Sequence, residues 1–248
     1  MTLLLIVVPC FNEATRWDNE YWTAMLQIPR VHWLFVDDGS TDSTSEVLKE
    51  VSVNPNVNYL QLPKNAGKSE AVRVGMNKAF EDQESFFGVG FIDADGAFEV
   101  SEVASVLEKC EYLLGDKKND ALWTSRVQLA GRNIQRSQSR HYVGRVLATV
   151  FSHRAISIPY DTQCGFKIFL VSLELQKNLK NTFRTRWLFE LEMLSRWNRD
   201  NGKPMVIWEE PLASWREIGE SKITFREVRR ITKEVVLSKL IQRRALKR

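Results

Sequence analysis

Phe91-Ile92-Asp93-Ala94-Asp95-Gly96 closes an apolar run, residues 87–92, and ends it in two carboxylates one residue apart. A run this apolar, with no polar alternation, has the pattern of a strand buried on both faces. Side chains alternate along an extended backbone, so Asp93 and Asp95 point the same way just past the strand's end. Two anions on one edge repel each other unless a cation joins them. A hard divalent ion, completed by substrate phosphates, is the natural partner. The alternative is a solvated acidic turn, and these six residues alone do not separate the two.

The same design occurs twice more in the first hundred residues. Residues 3–8 are a continuous apolar strand broken at Pro9 into Cys10-Phe11-Asn12-Glu13, and residues 33–36 run into Asp37-Asp38-Gly39-Ser40-Thr41-Asp42. Ser43 and Glu46 have capping-box spacing, with Val47, Leu48 and Val51 as the inward face of the helix that follows. Residues 57–62 predict a further strand, and Asn65-Ala66-Gly67-Lys68 opens a helix that buries Ala71, Val72, Met76, Ala79 and Phe80. Strand, polar loop and helix in succession define a parallel α/β sheet, which binds ligands at the carboxyl ends of its strands. Three acidic loops at one edge make a site.

The 248 residues and 44% hydrophobic content suffice for one large α/β domain. No apolar run approaches the roughly 20 residues needed to cross a bilayer, and the N-terminus lacks the basic region and cleavage site of a signal peptide. Cys10, Cys110 and Cys164 have no metal-ligand spacing and fit a reducing cytosol. Cys110 lies on the packing stripe Val103, Val106, Leu107, Cys110 and Leu114. Charge is uneven: residues 1–120 carry 10 Lys/Arg against 20 Asp/Glu, and residues 121–160 carry six arginines and no acid. An acidic half facing arginines suggests a phosphate-like anion beside a cation site. Nucleic acid is a poor partner, because no reading motif accompanies those arginines.

Two glycine patterns mislead. Ala66-Gly67-Lys68-Ser69 resembles the end of a P-loop, but Leu62 stands where that motif needs its first glycine. Gly88-Val89-Gly90 lies within a strand and lacks the third glycine of a dinucleotide fingerprint. Gly67 and Lys68 at a helix N-terminus still favour an anion.

Residues 7–13 (Val-Val-Pro-Cys-Phe-Asn-Glu), 36–42 (Val-Asp-Asp-Gly-Ser-Thr-Asp), 64–68 (Lys-Asn-Ala-Gly-Lys) and Asp93-Ala94-Asp95 together resemble the family 2 glycosyltransferases. Residues 124–126, 161–167, 186–192 and 215–222 resemble their polyprenyl-phosphate branch, the dolichyl-phosphate glucosyltransferases and mannose synthases. The resemblance implies one nucleotide-sugar-binding A-type domain, a mostly parallel mixed sheet flanked by helices. It spans residues 1–222, with a nucleotide-sugar half at 1–120 and an acceptor half at 121–222. It further implies an inverting transfer of a hexose from a nucleotide diphosphate sugar, UDP-hexose foremost, to a polyprenyl phosphate, with Mg²⁺ or Mn²⁺. Pro9, Asn12, Glu13, Asp37, Gly67, Lys68, Asp93 and Ala94 would then bind the donor, and Asp93 and Asp95 the metal. Arg126, Arg140, Gln163 and Lys222 would hold the acceptor, and Asp161 and Lys167 would lie near it. Asp95, Arg126 and Glu192 would serve catalysis, Glu192 as acceptor-side support or as a base for a hydroxyl acceptor. Where mannose synthases carry a metal-ligating glutamine, this chain has Ala97.

Residues 223–248 predict a basic amphipathic helix with Phe225, Val228, Ile231, Val235 and Leu240 apolar. Such a helix either lies on an anionic membrane surface, placing the protein peripherally on the cytoplasmic face, or packs on the domain. A membrane partner protein, or an acceptor that is not a lipid, would remove the need for an anchor. Glu190 and Glu192, two apart on a helix, cannot share a face. Trp187 and Trp197 read as core, and His32, His141 and His153 show no ligand spacing. Two alternatives stay open: a glycan or protein hydroxyl as acceptor, and a non-catalytic nucleotide-sugar or membrane-surface binding module.

Overall fold

The apolar runs form strands, and their continuity reflects burial on both faces. The computed structural model describes residues 3–81, 86–135, 149, 158–218 and 225–246, with the side chains of the last segment described at 232–242. The first half contains β1 (Leu3–Cys10), α1 (Asn19–Met25), β2 (Val31–Asp37), α2 (Thr44–Val51), β3 (Val57–Gln61), α3 (Lys68–Asn77), β4 (Phe86–Ile92) and α4 (Val100–Gly115). The second half contains β5 (Ala121–Ser125), β6 (Asn133–Gln135), β7 (Phe166–Leu170), α5 (Leu173–Leu179), α6 (Phe189–Asn201), β8 (Ile207–Pro211), β9 (Ser214–Arg216) and α7 (Phe225–Leu246).

Seven strands form one sheet in the order β3-β2-β1-β4-β7-β5-β8, and β6 pairs with β9 apart from it. All pairings in the large sheet are parallel except those of β7, which runs antiparallel to β4 and β5. Both halves of the chain therefore share one sheet. The chain steps outward from β1 through β2 to β3, then returns to add β4 on the other side of β1. That reversal opens a crevice at the carboxyl ends of β1 and β4.

Alternation on β1 sends Leu4, Ile6, Val8 and Cys10 to one face and Leu5 and Val7 to the other. The first face is covered by α1, α2 and α4, where all five residues of the Cys110 stripe are buried. The second is covered by α3, α5 and α6, including Ala71, Val72, Met76 and the buried Trp197. Ile6, Val7 and Val8 are wholly buried, and each contributes about 1.5–3 kcal/mol by leaving water. All three cysteines are free and buried.

Two local expectations change. Ser43 precedes α2 but makes no side-chain capping bond. Asp42 takes that role, its Oδ1 accepting from the Thr44 N–H at 3.1 Å and the Thr44 hydroxyl at 2.5 Å. At the other end of the chain, α7 packs on α6, with Val235 against Leu188 and Leu191. Its buried positions include Glu234, Ser238, Ile241 and Gln242, whereas Val236 and Leu240 are exposed. The side chains of Phe225, Val228 and Ile231, and residues His141 and His153, lie outside the described residues. Among the described residues, no helix is long and apolar enough to cross a membrane.

Candidate active site

The loops after β1, β2 and β4 meet at the crevice around a pocket of about 500 Å³. Pro9 and Glu13 enter it from β1, Gly67 and Lys68 from the N-terminus of α3, and Asp93, Ala94 and Asp95 from β4. Lys68 Nζ lies 2.5 Å from Asp93 Oδ1 and 5.5 Å from the centre of the Phe91 ring. Burial opposes the Lys68 charge, but Asp93 and then Glu190 outweigh it and raise its pKa. Asp95 Oδ1 accepts the Ala97 N–H at 3.1 Å, so Ala97 orients the aspartate through its backbone. Burial, then the Asp93 charge, lifts the Asp95 carboxyl above its usual range. Glu13 is raised as well, by burial first, with Arg16 opposing at 2.7 Å.

The aspartates after β2 divide their work. Asp37 is fully buried, with Oδ1 accepting the Ser40 N–H at 2.8 Å and Oδ2 the Ser45 hydroxyl at 2.5 Å. It therefore braces the loop from behind and does not line the pocket. Asp38 lines it instead, and its two oxygens each accept at 2.7 Å, from the N–H groups of Ala66 and Gly67. Asn12, at φ 54°, ties the β1 loop to the β2 loop by accepting the Thr41 N–H at 2.9 Å.

The acceptor-side expectations fare differently. Arg126 is nearly buried and forks onto Asp161, with Nε to Oδ2 at 2.7 Å and Nη2 to Oδ1 at 2.8 Å. The Asp161 N–H in turn donates to Glu209 at 2.9 Å. A guanidinium so engaged is a buried brace, not a free phosphate clamp. Gln163 sits in the adjoining loop, its N–H 3.3 Å from Asp161 Oδ1. Lys167 is wholly buried, with its ammonium 3.2 Å from Glu190 Oε1 and over the rings of Phe91 and Trp123. Arg140 and Lys222 lie outside the described residues.

Glu192 does not face the pocket. It is 1% exposed, accepts the Arg184 and Thr185 N–H groups, and pairs with Arg196 at 2.6 Å. Those bonds fix the turn before α6 and leave no orientation for base chemistry. Arg186 and Trp187, which precede α6, line the pocket although Trp187 reads as core in sequence. Arg186 closes over Gly67: a Cβ there would lie 2.5 Å from Arg186 Nε. Gly67 has φ +98°, a backbone conformation that favours glycine whatever Arg186 does.

Asp93 and Asp95 fit a divalent ion completed by diphosphate oxygens. Among the described residues, no cluster of three or more histidine, cysteine or carboxylate ligands could hold an ion without such help. A cradle also exists: a Cβ on Gly165 would collide with the Asp93 carboxylate. Gly165→Ala should therefore push Asp93 aside and weaken Mn²⁺-supported UDP binding by roughly tenfold, the scale of about 1–3 kcal/mol for a small overpacking change. Calorimetry would measure the loss, with circular dichroism showing the fold retained. Undiminished affinity would mean that Asp93 does not hold the ion.

A mostly parallel mixed sheet with a carboxylate pair at its reversal point defines the A-type nucleotide-sugar-binding fold. Glucosyl-3-phosphoglycerate synthase from Mycobacterium tuberculosis, solved with Mn²⁺, UDP and glucosyl-3-phosphoglycerate, shares that fold. It superposes with a TM-score of 0.65 over 97% of this chain and 80% of that one, at 14% identity. The profile "Glycosyl transferase family 2" matches residues 5–168. A dolichyl-phosphate beta-glucosyltransferase of Trichomonas vaginalis is 29% identical over 243 residues, covering 88% of this chain and 65% of the relative. The dolichyl-phosphate beta-glucosyltransferase of Saccharomyces cerevisiae is 31% identical over 242 residues, covering 89% and 69%. This chain belongs to glycosyl transferase family 2, and it spans about two thirds of the length of these two relatives.

Proposed function

We propose that the chain transfers a hexose, with inversion, from a nucleotide diphosphate sugar to a polyprenyl phosphate, with UDP-hexose as the leading donor. The observation that carries this reading is the Asp93/Asp95 pair at the end of β4, faced by Lys68 at the N-terminus of α3. Dolichyl-phosphate glucosyltransferases among the relatives and UDP with Mn²⁺ in a fold neighbour support donor and acceptor class. Asp93 and Asp95 would hold Mg²⁺ or Mn²⁺, which when bound offsets charge growing on the departing diphosphate. Lys68 and the α3 N-terminus add fixed positive potential beside it. Pro9 and Glu13 border the nucleoside end, and Asp38 holds the Ala66–Gly67 backbone against it.

A phosphate monoester is largely ionised near neutral pH, so the acceptor needs no base. That agrees with the burial of Glu192. Arg140, Gln163 and Lys222 are the acceptor-phosphate candidates, with Arg126 bracing that side through Asp161. The exposed Val236 and Leu240 on α7, beside exposed Lys233, suit a peripheral position on the cytoplasmic face of a membrane.

A panel of nucleotide sugars with Mn²⁺, each incubated with and without short polyprenyl phosphates, tests this reading. Transfer of labelled hexose into the organic phase, dependent on the lipid phosphate, is expected. Label transferred only to glycan or peptide hydroxyls would replace the acceptor assignment. Nucleotide binding without any transfer would point to a binding module.

A further inference from the structure

Helix α6 begins without a cap of its own. Leu188 occupies the cap position and offers no side-chain acceptor, so the N–H groups at and before it need partners from elsewhere. Glu234 supplies them from α7, some 46 to 48 residues further along the chain. Its Oε1 accepts the Arg186 N–H at 3.3 Å, and its Oε2 accepts those of Trp187 and Leu188, each at 2.9 Å. Glu234 is 9% exposed.

The capped loop is the one that roofs the pocket. Arg186 lies over Gly67, its carbonyl accepts the Ser69 N–H at 3.4 Å, and its Nη2 donates to Asn65 Oδ1 at 2.5 Å. Residues 186–188 are thus held between the N-terminus of α3 on one side and Glu234 on the other. Arg186, Trp187 and Glu234 line the same pocket as Gly67, Lys68 and Asp93. We infer that Glu234 is a positioning residue for the donor site: by latching the Arg186–Leu188 backbone it holds Arg186 and Trp187 over the nucleotide, which makes α7 part of that site. This inference rests on the pocket being the donor pocket.

Hydrogen exchange and UDP titration with Mn²⁺, on variants of this 248-residue chain, test it together. In Glu234→Ala the amides of residues 186–188 should exchange roughly tenfold faster or more, and UDP affinity should fall by about the same factor. That is the scale of losing one charge-assisted hydrogen bond, at about 1.5–3 kcal/mol. Glu234→Gln keeps the shape and one carbonyl acceptor, and should fall between the two. It decides the matter should the alanine variant fail to fold. Ser238→Ala is the control: its hydroxyl is also buried, one helical turn on, and makes no hydrogen bond among the described residues. It should leave both readouts unchanged. Normal UDP affinity in the Glu234 variants, or an equal loss in Ser238→Ala, would overturn the latch while leaving the donor pocket intact. Absence of UDP binding in the wild type would remove the donor reading itself, and the latch with it.

Discussion

Asp95→Ala should abolish transfer and cut Mn²⁺-supported donor binding by about a hundredfold or more, while the protein remains folded. Asp95 shares the end of β4 with Asp93, and Ala97 holds its carboxylate in place through a 3.1 Å backbone bond. Removing it would leave one carboxylate, already paired with Lys68 at 2.5 Å, to hold the ion against the diphosphate. Metal stabilisation of a leaving group contributes several kcal/mol, and each 1.36 kcal/mol is tenfold in rate, so a loss of about a thousandfold in turnover is expected. The isosteric Asp95→Asn should lose most activity too, yet have the opposite effect on stability. The folded-state pKa of Asp95 is raised, by burial first and then by Asp93. A carboxyl raised on folding loses stability as pH climbs from its unfolded value, about 3.9, through its folded one. At neutral pH the ionised side chain therefore destabilises the metal-free protein. Asp95→Asn should raise its melting midpoint, measured with EDTA present. A lowered midpoint would mean that Asp95 is stabilised by its surroundings and not held there for a cation.

Arg126→Ala should destabilise the whole domain, by about 3–5 kcal/mol, the usual cost of removing one partner of a buried ion pair. Side-chain exposure is 9% for Arg126 and 2% for Asp161, so water cannot replace the bidentate pair that is lost. At about 2–4 °C per kcal/mol for a chain of this size, the melting midpoint should fall by roughly 6–20 °C. Arg126→Lys should recover only part of this, because it keeps the charge but loses the planar fork. Calorimetric melting curves of the two variants would check the order. A variant with the wild-type midpoint and a raised acceptor KM would restore Arg126 as a direct phosphate clamp.

Residues 3–8 and 87–92 reveal the fold because strands buried on both faces must be apolar throughout, and the polar loops at their ends show where the edge of the sheet lies. Asp93 and Asp95 are equally readable, since period-two alternation is a local property. Partners distant in sequence are not. Nothing in the residues around Arg126 announces Asp161, so an arginine in an acid-free segment reads as an anion binder. The Asp37-Asp38 pair shows the same limit: sequence marks both as acidic, but only the buried register of β2 decides that Asp38 lines the pocket and Asp37 does not. Glu192 misleads because helix periodicity tells which residues share a face, not which face meets the site. The apolar stripe of α7 leaves open whether it meets a membrane or the domain, and among the described side chains Leu240 is exposed and Glu234 buried. The signal for Glu234 was the missing cap at Leu188, legible only once α6 has a defined start.

If Asp93 and Asp95 hold a divalent ion against the diphosphate, donor affinity depends on that ion. Calorimetric titration of UDP into the wild-type protein, once with Mn²⁺ and once with excess EDTA, measures the dependence. Binding with Mn²⁺ should be lost in EDTA. Equal affinity in the two titrations would mean that the carboxylate pair holds no ion for the donor.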